Sequence, residues 1–351
     1  MPGPVIRFLV PARDERKVRG AVGGPQDLPG GAIRHSVWGA VPAETQRWTT
    51  PAVGAQRRPA TVMTMADPQV FDAMLPPQMA AKAEAVGVAK ARLDGLSLFV
   101  LAVLAGAFIS LGALFATTVS SGAGDLPFGV TRLLAGLAFS LGLILVIVGG
   151  AELFTGNALI VMAWASRSVT SASLLRNWTI VYAGNMVGAL ATVAVLFISG
   201  QYRLGGGAVG FAALGIGEAK ASLEFVPAVA LGMMCNAMVC LAVWLTLSAR
   251  TTTDRILAIV PPIAAFVAIG FEHSVANMYF IPEAIAIRTW APDAFWAEIG
   301  RSPADYPNLT VEAFLVANLL PVTIGNIIGG AVMVGVVYWF VYLRGSRPDG
   351  A

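Results

Sequence analysis

The chain has 351 residues and a formal net charge of +3, with only 12% charged residues against 56% hydrophobic ones and a mean hydropathy of +0.72. A soluble chain carries about a quarter charged residues, so a soluble globular fold is excluded and the polypeptide is integral to a membrane. No Arg/Lys stripe with interleaved aromatics occurs, which sets nucleic-acid binding aside.

Residues 1–64 are rich in Pro, Gly and Arg and lack the apolar core of about 7–15 residues that marks a secretory signal. They read as a disordered basic extension, as an Arg-rich targeting or lipid-touching segment, or as sequence ahead of a true start at Met63 or Met65. The last reading is favoured. Across residues 65–95, Leu75, Met79, Ala83, Val86 and Lys90 fall at helical spacing. This predicts a short amphipathic helix on the cytoplasmic membrane surface, with a plain lead-in to the first span as the alternative.

Six apolar runs follow, at about Leu96–Val119, Leu133–Trp164, Trp178–Ile198, Val226–Leu247, Ile256–Ile287 and Phe314–Leu343. A simple span needs about 20 residues to cross roughly 30 Å. The second and fifth runs have about 32 residues each, or roughly 48 Å of helix, a surplus that tilt does not absorb. Both contain the same pattern: Gly150, Glu152 and Asn157 in one, Gly270, Glu272 and Asn277 in the other. Each is therefore expected to be a broken helix whose non-helical backbone lines a polar cavity.

A second signature is also duplicated, as Gly184, Asn185 and Gly188 in the third run and Gly325, Asn326 and Gly329 in the sixth. Glycines four apart permit close helix approach. Runs one to three and four to six thus match in order, and three is odd. The fold expected is an all-α membrane protein of six spans, two of them broken, built as an inverted 3+3 repeat with its site where the halves meet.

Lys and Arg cluster in the lead-in (Lys82, Lys90, Arg92), after span two (Arg167, Arg176), after span four (Arg250, Arg255) and in the tail (Arg344, Arg347). The loop after span five is acidic, with Asp293, Glu298, Asp305 and Glu312. Both termini, including the 346–351 tail, are therefore expected in the cytoplasm. Trp164, Trp178, Trp244, Trp290 and Trp339 lie near run ends, as an interfacial belt would.

A carboxylate in a membrane-spanning run is expensive and marks a site. Glu152 and Glu272 also have a structural reading, capping backbone N–H groups freed by the breaks. His273, the one histidine of the membrane region, falls inside the second break and faces the pathway on this reading, with Thr155 opposite. Cys235 and Cys240 read as small buried hydrophobes. One His and two cysteines off metal spacing assemble no standard metal site, and neither a metal nor a cofactor is expected. A Ser–His hydrolase would need a Gly-x-Ser-x-Gly elbow, which is absent, so no enzyme is expected. An aquaporin-like water or glycerol channel would show paired Asn-Pro-Ala motifs, also absent. A membrane sensor remains as an alternative of another class.

At these residues the chain resembles the formate/nitrite transporter family. The motifs are Gly150 to Asn157, Gly270 to Pro282, and Asn318 through Asn326 to Gly330, and the similarity runs from about Asp67 to Arg344. The resemblance implies a homopentamer of aquaporin-like protomers in the bacterial inner membrane, each conducting small monovalent anions. It implies that His273 is the pore centre, supported by Glu272 and Asn326, which joins the reading above that sets Thr155 opposite. It implies apolar constrictions at Phe139, Leu143, Leu153, Phe154 and Phe266, a mobile loop at Leu153 to Thr155, and a basic pore-mouth residue at Lys220. Glu152, Asn157 and Asn277 are left to support the loops. Helix packing is the alternative for each of the apolar side chains.

Formate is the expected substrate. Nitrite is the runner-up, and acetate, lactate and hydrosulfide share its chemistry. Moving a bare carboxylate into low dielectric costs tens of kcal/mol on the idealised estimate. Protonating an acid of pKa roughly 3.7 at pH 7 costs about 4.6 kcal/mol. A proton relay through His273 is therefore expected, with protons as co-substrate, and plain anion conduction past a hydrogen-bonding His273 as its competitor.

Overall fold

The computed structural model describes residues 73–124 and 126–345. The expectations for residues 1–64 and for the 346–351 tail lie outside them. Regular structure among the described residues is entirely helical. The helices are α1 (Pro76–Ala91), α2 (Gly95–Ser120), α3 (Phe128–Gly149), α4 (Phe154–Ala165), α5 (Ser171–Ser199), α6 (Ala208–Ala221), α7 (Phe225–Ser248), α8 (Thr252–Ile269), α9 (Ser274–Trp290), α10 (Asp293–Ile299) and α11 (Ala313–Tyr342). Six of these, α2, α3, α5, α7, α8 and α11, are long and apolar enough to cross a membrane. They correspond to the six expected spans. α4 and α9 complete the second and fifth.

Both over-long runs break where the surplus length requires. Gly150 (φ 78°) and Gly270 (φ 92°) end α3 and α8 in the left-handed region, which glycine enters without a Cβ penalty. The chain leaves the helix through residues 151–153 and 271–273, with Leu153 and His273 extended. A new helix starts at Phe154 in one copy and Ser274 in the other. Outside the spans, Asp94 caps α2, its carboxylate accepting from the Ser97 N–H at 2.9 Å. That bond holds the Asp94 carboxyl below the usual carboxylate range.

Two features differ from expectation. α1 does form, but its buried face is Met79, Ala80, Ala83, Gly87 and Ala91, while Leu75 and Val86 are exposed. The reason is that α1 packs against protein. A Cβ on Gly87 would sit 3.2 Å from the Ala163 Cβ of α4, and Lys82 Nζ donates to the Leu247 carbonyl at the end of α7 at 2.8 Å. Met79 and Ala83 lie on that face as the spacing expects, while the small Ala80, Gly87 and Ala91 take the close contact in place of Leu75 and Val86. The other difference is α6, absent from the list of expected elements. It repeats α1: Ala89-Lys90-Ala91 with Leu93 reappears as Ala219-Lys220-Ala221 with Leu223. The repeat unit is thus larger than three spans, with α1–α5 answered by α6–α9 and α11.

The halves are held by very close helix crossings. A Cβ on Gly188 of α5 would lie 2.0 Å from the Val103 carbonyl oxygen of α2, and one on Gly329 of α11 would lie 2.0 Å from that of Met233 on α7. The duplicated Gly-Asn signature therefore serves the same crossing twice. Gly188→Ala and Gly329→Ala are each expected to cost about 1–3 kcal/mol or more through overpacking, read as a lowered unfolding temperature of purified protein. Gly124→Ala, where a Cβ meets nothing within 4 Å, is the control expected to change little.

Candidate functional site

Breaking two helices frees backbone groups where no water can satisfy them, and the chain answers both breaks identically. Asn185 of α5 donates to the carbonyls of Ala102 (2.7 Å) and Glu152 (2.9 Å) and accepts from the Phe154 N–H (2.9 Å). Asn326 of α11 donates to Gly232 (2.8 Å) and Glu272 (3.0 Å) and accepts from the Ser274 N–H (2.9 Å). The N–H groups of Glu152 and Glu272 themselves reach the carbonyls of Leu101 and Leu231.

This corrects the structural reading of the two carboxylates. They do not cap the loops; the asparagines of the second signature do. Each carboxylate instead holds a lysine. Lys90 Nζ lies 2.6 Å from Glu152 Oε1 and Lys220 Nζ lies 2.7 Å from Glu272 Oε1. Asn157 Nδ2 bridges Glu152 Oε2 and Asn177 Oδ1, and Asn277 Nδ2 bridges Glu272 Oε2 and Asn318 Oδ1. Asn177 and Asn318 close each circuit by donating to the lysine's own carbonyl, Lys90 O and Lys220 O. The copies differ at one bond. Lys90 also donates to Asn157 Oδ1 at 3.0 Å, whereas Asn277 Oδ1 is buried without a partner. Lys220 lies instead near the Phe280 ring, 5.4 Å from its centroid.

The two half-helices meet N-terminus to N-terminus. His273 is the N-cap of α9, its Nδ1 accepting from the Ala276 N–H at 2.9 Å. Its Nε2 lies 3.0 Å from Thr155 Oγ1 in the first turn of α4. Since Nδ1 accepts, the hydrogen-bond network assigns the neutral ring's proton to Nε2. Cys240 reinforces the same place, its thiol 3.4 Å from the Thr155 carbonyl oxygen, so it does more than fill space. Both helix N-termini carry partial positive charge, and together they make the centre favourable for an anion.

A cavity of about 590 Å³ leads to His273 from the α6 side. Phe211 and Gly215 stand exposed at its rim, and His273, 3% exposed, lies at its floor. Phe139 and Phe266 form its throat, edge to face with centroids 5.6 Å apart, and Phe266 stacks toward His273 at 6.0 Å. Phe280 completes the aromatic group, 6.5 Å from Phe139. Of the expected constriction residues, Leu143, Leu153 and Phe154 do not line this cavity. They are buried in the core, and Phe154 packs on Trp178 and Tyr182.

Lys220 lines the cavity, but its ammonium is spent on Glu272 at the level of the break. Glu272 and Asn326 act on the loop and the lysine, while Thr155 and Ala276 hold the His273 ring. Lys90, Asn177, Arg132 and Phe280 also belong to the site, although the sequence pattern marks Lys90 only as a lead-in cation and the other three not at all. Lys90 and Asn177 were readable in principle. Lys90 repeats at Lys220, and Asn177 precedes Asn185 by the same eight residues that separate Asn318 from Asn326.

Lys220→Met alone leaves Glu272 buried without its cation, and a loss of about 3–5 kcal/mol is expected. The double variant K220M/E272Q removes both charges and is expected to recover most of that loss in thermal unfolding. A double variant no more stable than the single one would show that the pair does not act as a unit.

A sequence model described as formate/nitrite transporter matches residues 77–340. "Formate channel FocA" of Escherichia coli (strain K12) is 48% identical over 274 residues, covering 78% of this chain and 96% of that relative. "Formate channel FocB" of the same strain is 41% identical over 276 residues, covering 78% and 97%. Among solved structures, one described as "Pentameric formate channel with formate bound" superposes with a TM-score of 0.67 at 46% identity, covering 71% of this chain and 98% of that one. With the doubled helix break, the inverted repeat and the histidine floor already in view, the chain belongs to the formate/nitrite transporter family.

Proposed function

We propose that this protein is a homopentameric formate channel of the bacterial inner membrane, with one pathway per protomer and His273 at its centre. The FocA relatives and the pentameric, formate-bound neighbour support the substrate and the assembly. The observation that carries the mechanism is the Nε2–Thr155 contact, because it joins two helix N-termini around one neutral hydrogen-bond donor. No chemical transformation is assigned to the site. The α1 face, with Lys82, Lys90, Arg167, Arg176, Arg250 and Arg255, is taken as cytoplasmic, with both termini on that side.

Formate enters the cavity as an anion and sheds water at the Phe139–Phe266 throat. There the charge is met by the His273 Nε2–H, the Thr155 hydroxyl and the positive ends of α4 and α9. Leu143, Leu153 and Phe154 form the apolar seal on the far side, and the Leu153 to Thr155 segment is the part that must shift to open it.

The hydrogen bonds also state the condition for a proton relay. A neutral His273 that gave its Nε2 proton to formate would become an imidazolate. Donation therefore requires a second proton on Nδ1, and that proton would displace the Ala276 N–H now bound there. The proposal is accordingly conduction of the anion past a neutral histidine, with the protonated route open only when the α9 cap is released.

In proteoliposomes, His273→Phe is expected to slow formate flux about ten- to a hundredfold, the loss of one hydrogen bond to a charged group. His273→Asn, whose amide can still cap α9, is expected to retain more. Undiminished flux in His273→Phe would overturn the role. Formate flux in the unmodified protein should carry current at neutral pH; one proton moving with each formate and no current would assign the relay instead. Parallel nitrite flux tests the substrate, and nitrite passing faster than formate would replace it.

A further inference from the structure

One charged residue of the cavity wall has no part in the circuits described above. Arg132 lies in the second turn of α3 and shares with Ala135 and Phe139 the face that lines the cavity. Its Nε donates to the Ala268 carbonyl at 3.1 Å and its Nη2 donates to the Val267 carbonyl, both in the last turn of α8 just before Gly270. The guanidinium is thus fixed across the open end of the broken helix. It lies seven residues, or about 10 Å of α3, outward of Phe139.

The charge balance of the cavity turns on this residue. Its charged lining residues are Arg132, Lys220 and Glu272. Lys220 and Glu272 cancel at 2.7 Å. Arg132 bonds neutral carbonyls, whereas Lys90 and Lys220 are each paired with a carboxylate. A guanidinium keeps its charge at every working pH and has five N–H donors, of which two are used here. The cavity therefore carries a net positive charge between low-dielectric walls, which focus the field and raise the local anion concentration.

The repeat sharpens the point. The offset that takes Gly150 to Gly270 takes Arg132 to Thr252, so this charge is built into one half only. The lysine–carboxylate pairs and the asparagines, by contrast, are present in both halves.

We propose that Arg132 is the residue that concentrates and selects monovalent anions at the α6 mouth, while Lys220 is chiefly the structural partner of Glu272. This rests on the reading of the cavity as an anion pathway. Arg132 meets the arriving ion before the aromatic throat does, and its remaining N–H donors are available to it.

The test is formate and nitrite flux into proteoliposomes of the unmodified protein, Arg132→Gln and Arg132→Lys, at ionic strengths from about 0.01 M to about 0.15 M set with an impermeant salt. Over that range the screening length falls from about 30 Å to about 8 Å. Flux through the unmodified protein should fall as salt rises. Arg132→Gln should be about tenfold slower at low salt, nearly indifferent to salt, and should converge on the unmodified protein at high salt. Arg132→Lys, which keeps the charge and loses the fork, should retain the salt dependence.

The proposal is overturned if the unmodified protein shows no salt dependence, a result that needs no variant to fold. It is also overturned if Arg132→Gln keeps the full dependence, or if Arg132→Lys loses flux as completely as Arg132→Gln at every salt concentration. The last outcome would leave only the α8 cap. If nitrite moves and formate does not, the formate assignment fails, and the nitrite data decide the role of Arg132. If neither anion moves faster than in protein-free vesicles, the proposed function fails and this inference falls with it.

Discussion

Interrupting a helix in hydrocarbon strands backbone donors and acceptors, each costing several kcal/mol if left unpaired. Here the price is met by two side chains, Asn185 and Asn326, which each take two carbonyls and one N–H around a break. An asparagine suits this because one short side chain offers both donors and acceptor. It reaches the loop only because glycines beside it bring α5 against α2 and α11 against α7. The close crossing and the satisfied break are one device, used twice.

Around that device lies a second, electrostatic layer. A buried lysine–carboxylate pair gives little net stability, since desolvation offsets much of the attraction. What it supplies is position. Lys90 ties α1 to the first break and Lys220 ties α6 to the second, with Asn157 and Asn277 donating to the second carboxylate oxygens and Asn177 and Asn318 donating to the lysine carbonyls. The helices that flank the channel domain are thereby fixed to the loops at its centre. Movement of α1 or α6 would have to break charge-assisted bonds at the loop itself.

Function begins where the copies diverge. The first break carries Leu153 and the second carries His273 at the same N-cap position. Thr155 then has a partner, and on the proposed pathway that pair is the polar centre between apolar walls. The aromatic throat and the unpaired charge of Arg132 also belong to one side. A symmetric frame therefore holds an asymmetric pathway, which is what a channel opening between two different compartments needs.

By itself the sequence determined that the chain spans a membrane, that six runs cross it, that the second and fifth are broken at Gly150 and Gly270, and that the halves repeat. Each of these follows from length against bilayer thickness or from patterns local to a few residues. His273 was legible too, because a lone imidazole inside an apolar run stands out against its background. Only the tertiary structure decided the partners. Whether Glu152 would face backbone or Lys90, and whether Asn326 would serve the histidine or the loop, depends on helices far apart in the chain. Periodicity placed Met79 and Ala83 on the buried face of α1 but also Leu75 and Val86, which are exposed, because it weighs side-chain polarity and not the protein surface that α1 meets. The α6 repeat and Arg132 escaped notice for a related reason: a lysine or arginine near a span end looks like an orientation signal until its distance to a carboxylate, or the absence of one, is seen.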